Sequence, residues 1–321
     1  MQKTLSGRSL IRPKPFLKWA GGKTQLLDEL ERRLPAEIKS SGTIEKYIEP
    51  FVGGGAVFFY LKSIYDMKEA YLLDINPTLV SAYSVIQKQP IELINKLREI
   101  ENIYYRLTDL QKRSYYYTIR DEFNRQITGQ VSLSERYGAD LSVCKVANMI
   151  FLNRTCYNGL FRQNSKGEFN VPYGSYRNPK ICDEENILQV SYSLKNVKIE
   201  KGDFERSKQY ISEKSLVYLD PPYRPLPLKT TSQFTNYFKN GFNDNDQLRL
   251  SRFFMEMDAR GAYLMLSNSD PKNEDLSDNF FEKSYKIYNI DRVRANRLIN
   301  CNPIKRGHIF ELVITNYLSK S

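Results

Sequence analysis

The sequence predicts an α/β protein built on a largely parallel sheet, and three apolar runs carry that expectation. IEKYIEPF ends its strand at Glu49, AYLLDINP at Asp74 and SLVYLDPPY at Asp220. Each is a short β-prone run that stops on an acid. The first two lead directly into helical patterns, AVFFYLKSI after three glycines and the segment opened by Pro77, a residue suited to the first turn of a helix. Strand-then-helix units with acids at the carboxyl ends of the strands place a binding crevice at those ends.

The remaining elements follow in order. TQLLDELERRL sets Leu26, Leu27, Leu30 and Leu34 on one helical face ahead of the first strand. From about residue 90 to 200, Tyr, Asn, Arg and helical patterning replace the strand signals. ENIYYRLTDLQKRSYYYTIRDEFNRQI reads as mostly helical, and DLSVCKVANMIFLNRT as an apolar helix that breaks into polar residues. CYNGLFRQNSKGEFNVPYGSYRNPK then carries Asn-Gly and Lys-Gly turns between short runs, the pattern of a β-hairpin or extended loop. The α/β pattern resumes at SLVYLDPPY and continues through a helix near NDNDQLRLSRFFMEMDARG and the strand AYLMLSNSD. It closes with IFELVITNY, an edge or hairpin strand after the basic stretch DRVRANRLINCNPIKRGH. The expected organisation is a main domain of residues 1–88 and 195–321, interrupted by an insertion at 89–194.

Composition narrows the function. The 321 residues carry a formal charge of +11, which fits a polyanionic partner such as nucleic acid. Cys144, Cys156, Cys182 and Cys301 form no close ligand pairs and His308 is the only histidine, so no Cys/His metal site is expected and the cysteines fill space in a reducing compartment. No apolar run approaches membrane-spanning length and the start lacks a signal-type apolar region, so a cytoplasmic location is expected. The Asn153-Arg154-Thr155 sequon then has no role.

Three motifs carry chemistry. Gly53, Gly54 and Gly55 after a strand allow a tight turn and close backbone approach to a ligand. They lack the GxGxxG spacing, and a plain tight turn explains them alone; together with Asp74, an acid suited to a ribose hydroxyl pair 19 residues beyond Gly55, they favour a nucleoside-containing cofactor. In LKWAGGKT the P-loop motif fails because Leu17 stands where a glycine is required, leaving Gly21 and Gly22 as a flexible approach to a helix, with Lys18 and Lys23 able to meet an anion. At Asp220-Pro221-Pro222-Tyr223 the prolines remove backbone donors and fix the chain direction. The Pro221 carbonyl beside the Asp220 carboxylate matches the two hydrogens of an exocyclic amine, and Tyr223 can stack on the ring that bears it; a structural strand stop is the plainer reading.

In the insertion, Arg162 can pair with guanine O6 and N7. Tyr157 and Leu160 are candidate wedges, and Arg154, Lys166, Arg177 and Lys180 candidate phosphate contacts, against the alternative of simple solvent exposure.

Taken together, these stretches resemble the Dam-type, DpnM-like family of DNA adenine-N6 methyltransferases, the α-group enzymes dependent on S-adenosylmethionine. The resemblance covers nearly the whole chain in the family's order: FLKWAGGK at 16–23, EPFVGGGAVFF at 49–59, LLDIN at 72–76, NRTCYNGLFRQNSKGEFNVPYG at 153–174 and DPPY at 220–223. It implies a Rossmann-like methyltransferase sheet, largely parallel with an antiparallel terminal strand, plus an inserted, mostly helical DNA-recognition domain with a β-hairpin.

The resemblance also implies roles. Phe16, Trp19, Ala20, Gly21, Gly22 and Lys23 border the methyl donor, while Lys18 reaches toward a recognised base. Glu49, Pro50, Phe51, Gly53 and Gly55 wrap the donor's methionine part, Asp74 holds its ribose, and Asp203 with Phe204 meets its adenine. Asp220, Pro221, Pro222 and Tyr223 are the catalytic set. Arg162 reads guanine, Tyr157 pushes into the base stack, Pro172 and Tyr176 touch further bases, and Arg154, Asn158, Leu160, Asn164, Asn170 and Arg177 complete the DNA contacts. Cys156 departs from the aromatic or small residue often found there, and FTNYFKNGF at 234–242 matches the family's mobile loop near the flipped base.

The implied reaction is methyl transfer to adenine N6 in duplex DNA, with GATC the leading target, base flipping, S-adenosyl-L-homocysteine as product and no metal. The implied partners are double-stranded DNA and a cognate restriction endonuclease encoded nearby without a stable complex; no membrane is involved, and the location is the prokaryotic cytoplasm or nucleoid. Two alternatives stay open: a cytosine-N4 DNA methyltransferase, in which Ser more often stands at position 220, and a catalytically silent DNA-binding subunit of the same fold.

Overall fold

A computed structural model describes residues 12–129, 141–224, 242–296 and 308–318. The chain divides into two compact units, crossing between them after Gly22, Val52, Ser63, Ile75 and Lys195.

The sheet unit holds residues 23–52, 64–75 and 196 onward. Its seven strands are β1 (Thr43–Glu49), β2 (Asp66–Asp74), β3 (Val197–Lys201), β4 (Leu216–Leu219), β5 (Tyr263–Ser269), β6 (Asn289–Asn296) and β7 (His308–Thr315), in the order β3-β2-β1-β4-β5-β7-β6. The first five are parallel, and β7 runs antiparallel between β5 and β6. The chain-terminal strand is thus one arm of a hairpin and lies inside the sheet, while β6, drawn from the charged stretch NIDRVRAN, takes the edge.

Central strands buried on both faces read as unbroken apolar runs. All four residues of β4 are buried, as are Leu72 and Leu73 of β2 and Leu264 and Leu266 of β5. Helix α9 (Asp244–Asp258) contributes Leu250, Phe253, Phe254 and Met257 to the same core. Asn243 starts it with a capping box: its side chain accepts from the Asn245 and Asp246 amides and Asp246 reaches back. Short helices α1 (Leu27–Arg32), α2 (Ala36–Ser41) and α10 (Phe280–Ser284) complete this unit.

The helical unit holds α3 (Ala56–Lys62), α4 (Pro77–Lys88), α5 (Pro90–Arg106), α6 (Asp109–Ile127), α7 (Leu141–Thr155) and α8 (Glu184–Ser193). The expected insertion, 89–194, falls within it, together with α3 and α4. Asn76 caps α4 with Pro77 at its first position, and Thr108 and Gln111 form a capping box that separates α6 from α5. Helix α7 is apolar nearly all round because α4, α5 and α6 pack against it. After α7 the chain runs as an extended loop with two isolated antiparallel bridges, Cys156 with Tyr173 and Gln163 with Phe169.

Candidate active site and DNA interface

The site begins where β4 stops. Two successive prolines after Asp220 remove two amide donors, so the ladder cannot continue past Leu219. Strands β1 and β4 are neighbours from which the chain proceeds to β2 and β3 on one side and to β5 on the other, and this switch point opens a crevice at the strand carboxyl ends. Acids stand there on successive strands: Glu49 closes β1, Asp74 closes β2, Asp203 follows β3 and Asp220 follows β4.

Asp220 is held through one oxygen. Its Oδ1 lies 2.7 Å from Lys23 Nζ and accepts from Ser267 Oγ at 3.2 Å. Ser267 on β5 in turn lies 2.7 Å from the Tyr218 hydroxyl of β4. Lys23 Nζ also donates to the Tyr223 hydroxyl at 3.0 Å and sits 4.7 Å from that ring's centroid. The Tyr223 hydroxyl donates to both Glu311 carboxylate oxygens, at 2.7 and 2.8 Å. On α9, Gln247 donates to the Pro222 carbonyl at 3.1 Å, restraining the segment that presents the Pro221 carbonyl.

Burial and charge compete in this cluster. Burial opposes the Lys23 ammonium, but Asp220, Tyr223 and Glu311 outweigh it and hold its pKa above the ordinary value. Burial pushes the Asp220 carboxyl up while Lys23 and Ser267 pull it back. Burial also raises Glu311, with Lys23 and Tyr223 opposing and Asp220 adding.

The other expected donor contacts of the sheet unit surround these acids. Glu49 is buried and accepts from Tyr47 at 2.8 Å; Pro50 is buried beside it. Phe51 stacks on Phe204 with centroids 5.6 Å apart. Asp203 accepts the Glu205 amide at 3.0 Å through Oδ1 and meets Arg249 at 2.8 Å through Oδ2, while the Arg249 guanidinium lies 4.6 Å over Phe204. The Asp74 carbonyl accepts the Gly202 amide. Acids at the strand ends and the stacked Phe51 and Phe204 rings are chemically suited to a cationic, nucleoside-bearing donor. Phe242 packs edge-on to Phe51 and Phe204; residues 234–241 of the expected loop lie outside the described residues.

In the helical unit, Phe16 is buried edge-on to Tyr83, whose hydroxyl donates to the Gly53 carbonyl at 3.0 Å. Gly55 has φ 72°, and a Cβ there would fall 2.5 Å from the Tyr83 hydroxyl, so a side chain is excluded twice over. Trp19 stacks on Phe161 at 5.0 Å, and Ala20, Gly21 and Gly22 are exposed.

The loop after α7 is braced from within this unit. Asn124 of α6 pairs with both the Phe169 amide and carbonyl, at 2.7 and 3.1 Å, and Tyr116 donates to the Val171 carbonyl. Asn153 accepts the Lys18 amide and donates to the Lys18 and Gly159 carbonyls, tying FLKW to the Asn-Gly turn. On this brace Tyr157 is 56% exposed, Leu160 37% and Tyr176 36%, unusual for such apolar side chains. Asn158, Pro172, Arg177 and Lys18 are exposed too. Arg162 is half-buried, its Nε 2.6 Å from Asn170 Oδ1 and its Nη2 3.2 Å from the Asn170 carbonyl. Asn164 closes the tip of the loop, accepting the Lys166 and Glu168 amides. Arg154 donates to the Phe16 carbonyl, which directs it inward. Cys156 is buried with its thiol pushed up to about 11 by burial, so it fills space inside the loop.

An open concavity of about 580 Å³ lies on this unit, lined by Arg120, Arg125, Asn124, Asn164, Glu168 and Asn170 among others. The Arg120 Nε there has no hydrogen-bond partner among the described residues but lies 3.9 Å from Asp121 Oδ1, and its guanidinium sits 4.6 Å over the Tyr117 ring. Sequence reasoning missed Arg120, Asn124, Asn153, Ser267 and Glu311. Only Glu311 carried a local signal, a lone acid inside the apolar run IFELVIT.

Among the described residues no group of three or more His, Cys, Asp or Glu is placed to hold a metal ion, and no helix is long and apolar enough to cross a membrane.

A largely parallel sheet with an antiparallel end, acids at its strand carboxyl ends and DPPY at the switch point is a methyltransferase-like arrangement. Residues 19–299 match the family model for D12 class N6 adenine-specific DNA methyltransferases, and the chain belongs to that family. It is 50% identical over 305 residues to the type II methyltransferase M.MjaIII of Methanocaldococcus jannaschii, covering 95% of this chain and 99% of that one. It is 36% identical over 314 residues to the type II methyltransferase M1.LlaDCHI of Lactococcus lactis subsp. cremoris, covering 97% and 98%. A DNA adenine methylase of Vibrio cholerae is 30% identical over 303 residues, covering 94% and 95%. The protein is therefore an S-adenosylmethionine-dependent enzyme that methylates adenine N6 in DNA.

Proposed function

We propose that this enzyme methylates the adenine of GATC in duplex DNA, flipping the base to a site built on Asp220, Pro221, Pro222 and Tyr223. The observation that carries the catalytic reading is the Asp220 carboxylate anchored through Oδ1 by Lys23 and Ser267, which leaves Oδ2 for a substrate amine hydrogen. The Pro221 carbonyl accepts the second hydrogen. With both hydrogens held, the nitrogen lone pair turns out of conjugation with the ring, and the rate gain comes from positioning and fixed charge. Tyr223, its hydroxyl tied to Glu311, offers its ring face to the base. Extrusion of the base costs a few kcal/mol, offset by an inserted side chain and phosphate contacts.

When bound, S-adenosylmethionine supplies the methyl group from its sulfonium. Glu49, Pro50, Phe51, Asp74, Asp203 and Phe204 of the sheet unit would hold it. The acids and aromatic faces of this set fit a cation that bears a ribose and an adenine.

The helical unit reads the target. Exposed Tyr157 serves as the wedge, Leu160, Pro172 and Tyr176 pack on bases, and Arg162 takes guanine once it exchanges its Asn170 contacts for the base edge. Lys18 reaches a second base, and Asn158, Asn164, Asn170 and Arg177, with Arg120, contact the backbone. The GATC assignment rests on the Asn153–Gly174 motif that forms this loop, and a cognate restriction endonuclease encoded nearby, without a stable complex, is part of the same proposal. Incubating the purified chain with labelled donor and duplexes carrying GATC or each single-base variant tests the target. Label on N6-methyladenine in GATC alone supports it; equal labelling of the variants overturns it.

A further inference from the structure

We propose that Glu311 is a positioning residue for methyl transfer, which acts by offsetting the charge of Lys23 so that the surroundings of Asp220 stay anionic. The inference rests on the reading of Asp220 as the acceptor of the substrate amine.

Glu311 is an expensive residue where it stands. It is 6% exposed on β7, next to the buried Leu312, Val313 and Ile314, and a carboxylate there is costly unless its charge is used. Accepting the Tyr223 hydroxyl does not require a charge, since a glutamine carbonyl would serve. The neighbouring ammonium does require one. Lys23 Nζ lies 2.7 Å from Asp220 and 3.8 Å from Glu311. Among the described residues, the ion pairs of this cluster join two carboxylates to one ammonium, so the cluster carries a net negative charge when all three are ionised.

The reaction moves positive charge toward that cluster. The adenine nitrogen donates its lone pair to the methyl carbon as the carbon–sulfur bond breaks, and the bonding pair stays on sulfur. The nitrogen is then cationic until one of its protons leaves to the carboxylate or to water. Lys23 is needed to fix Asp220, yet its ammonium repels the developing cation from close range. A second carboxylate beside Lys23, bonded to the Tyr223 hydroxyl, offsets that repulsion. Charge placed where the transition state differs from the ground state lowers the barrier and leaves binding nearly untouched.

Two substitutions separate charge from shape. Glu311→Gln keeps the size and the acceptor and removes the charge, while Glu311→Asp keeps the charge and shortens the reach. Single-turnover methyl transfer, equilibrium binding of donor and of duplex, and thermal unfolding are measured on each full-length variant. The expected result is a rate about 10- to 100-fold lower in Glu311→Gln, with both affinities within about twofold, and a clearly faster Glu311→Asp. A Gln variant as fast as the parent, or an Asp variant as slow as the Gln variant, would overturn the inference. Asp220→Ala is the control on the underlying reading: a parental rate there sinks the site itself, whereas its loss beside an unaffected Glu311→Gln sinks only the role of Glu311.

Discussion

At the scale of single residues, each unit joins side chains that lie far apart in the chain. Tyr223 and Glu311 are 88 residues apart, and Asn153 reaches Lys18 across 135. DPPY was legible because its chemistry is local: an acid, a carbonyl and a ring in four residues. Lys23 was visible as a cation near the donor motif, but its seat against Asp220 depends on a turn before α1 that no spacing shows. Ser267 and Asn153 are ordinary polar residues in sequence and become structural only through partners. Arg162 stood out in sequence as a candidate guanine reader, and its guanidinium bonds Asn170, contacts it must exchange to meet a base edge. Arg162→Ala is expected to reduce discrimination at one guanine by about 1 to 3 kcal/mol, read as relative methylation rates on duplexes altered at that position. Unchanged relative rates would remove the reader role.

At the scale of elements, legibility followed burial. Strand β4 announces itself because all four residues are apolar, whereas β3 (VKIEK) and β6 (NIDRVRAN) alternate with charges at the sheet edges and resemble solvated segments. Edge strand β3 is tied down by Glu200. Burial opposes its charge, but Tyr210, Arg206 and Lys198 outweigh that and hold its carboxyl at about 2, down from 4.5. A depressed carboxyl stabilises the fold above its unfolded value and loses that contribution as pH falls from 4.5 toward 2. Glu200→Gln is expected to cost about 1 kcal/mol at pH 7 after allowance for solvent screening, with the deficit closing near pH 2, as measured by urea unfolding. Helix α6 has a different task, bracing the loop after α7 through Asn124. Asn124→Ala removes both contacts to Phe169 and is expected to weaken duplex binding about tenfold with donor affinity unchanged. Equal loss of both affinities would show a global defect instead.

At the scale of the whole molecule, the class was readable from strand-then-helix order, and the family from the order of its motifs along the chain. The two units were less readable, because α3 and α4 follow strands of the sheet in sequence yet cluster with the helices. The charge of +11 is a property of the entire chain and predicts salt-sensitive DNA binding. The logarithm of duplex affinity should fall linearly with the logarithm of salt, at roughly 0.9 per phosphate neutralised, and Arg120→Ala should reduce the slope by about one. An unchanged slope would place Arg120 off the DNA. The central claim is narrower: a carboxylate at the end of β4 accepts an amine hydrogen and has no part in holding the donor. Asp220→Ala tests it most directly, with single-turnover transfer and donor affinity measured on the same preparation. A rate lower by about a hundredfold or more, with donor affinity within about threefold of the parent, is the expected result; equal losses in both, or a preserved rate, would contradict it.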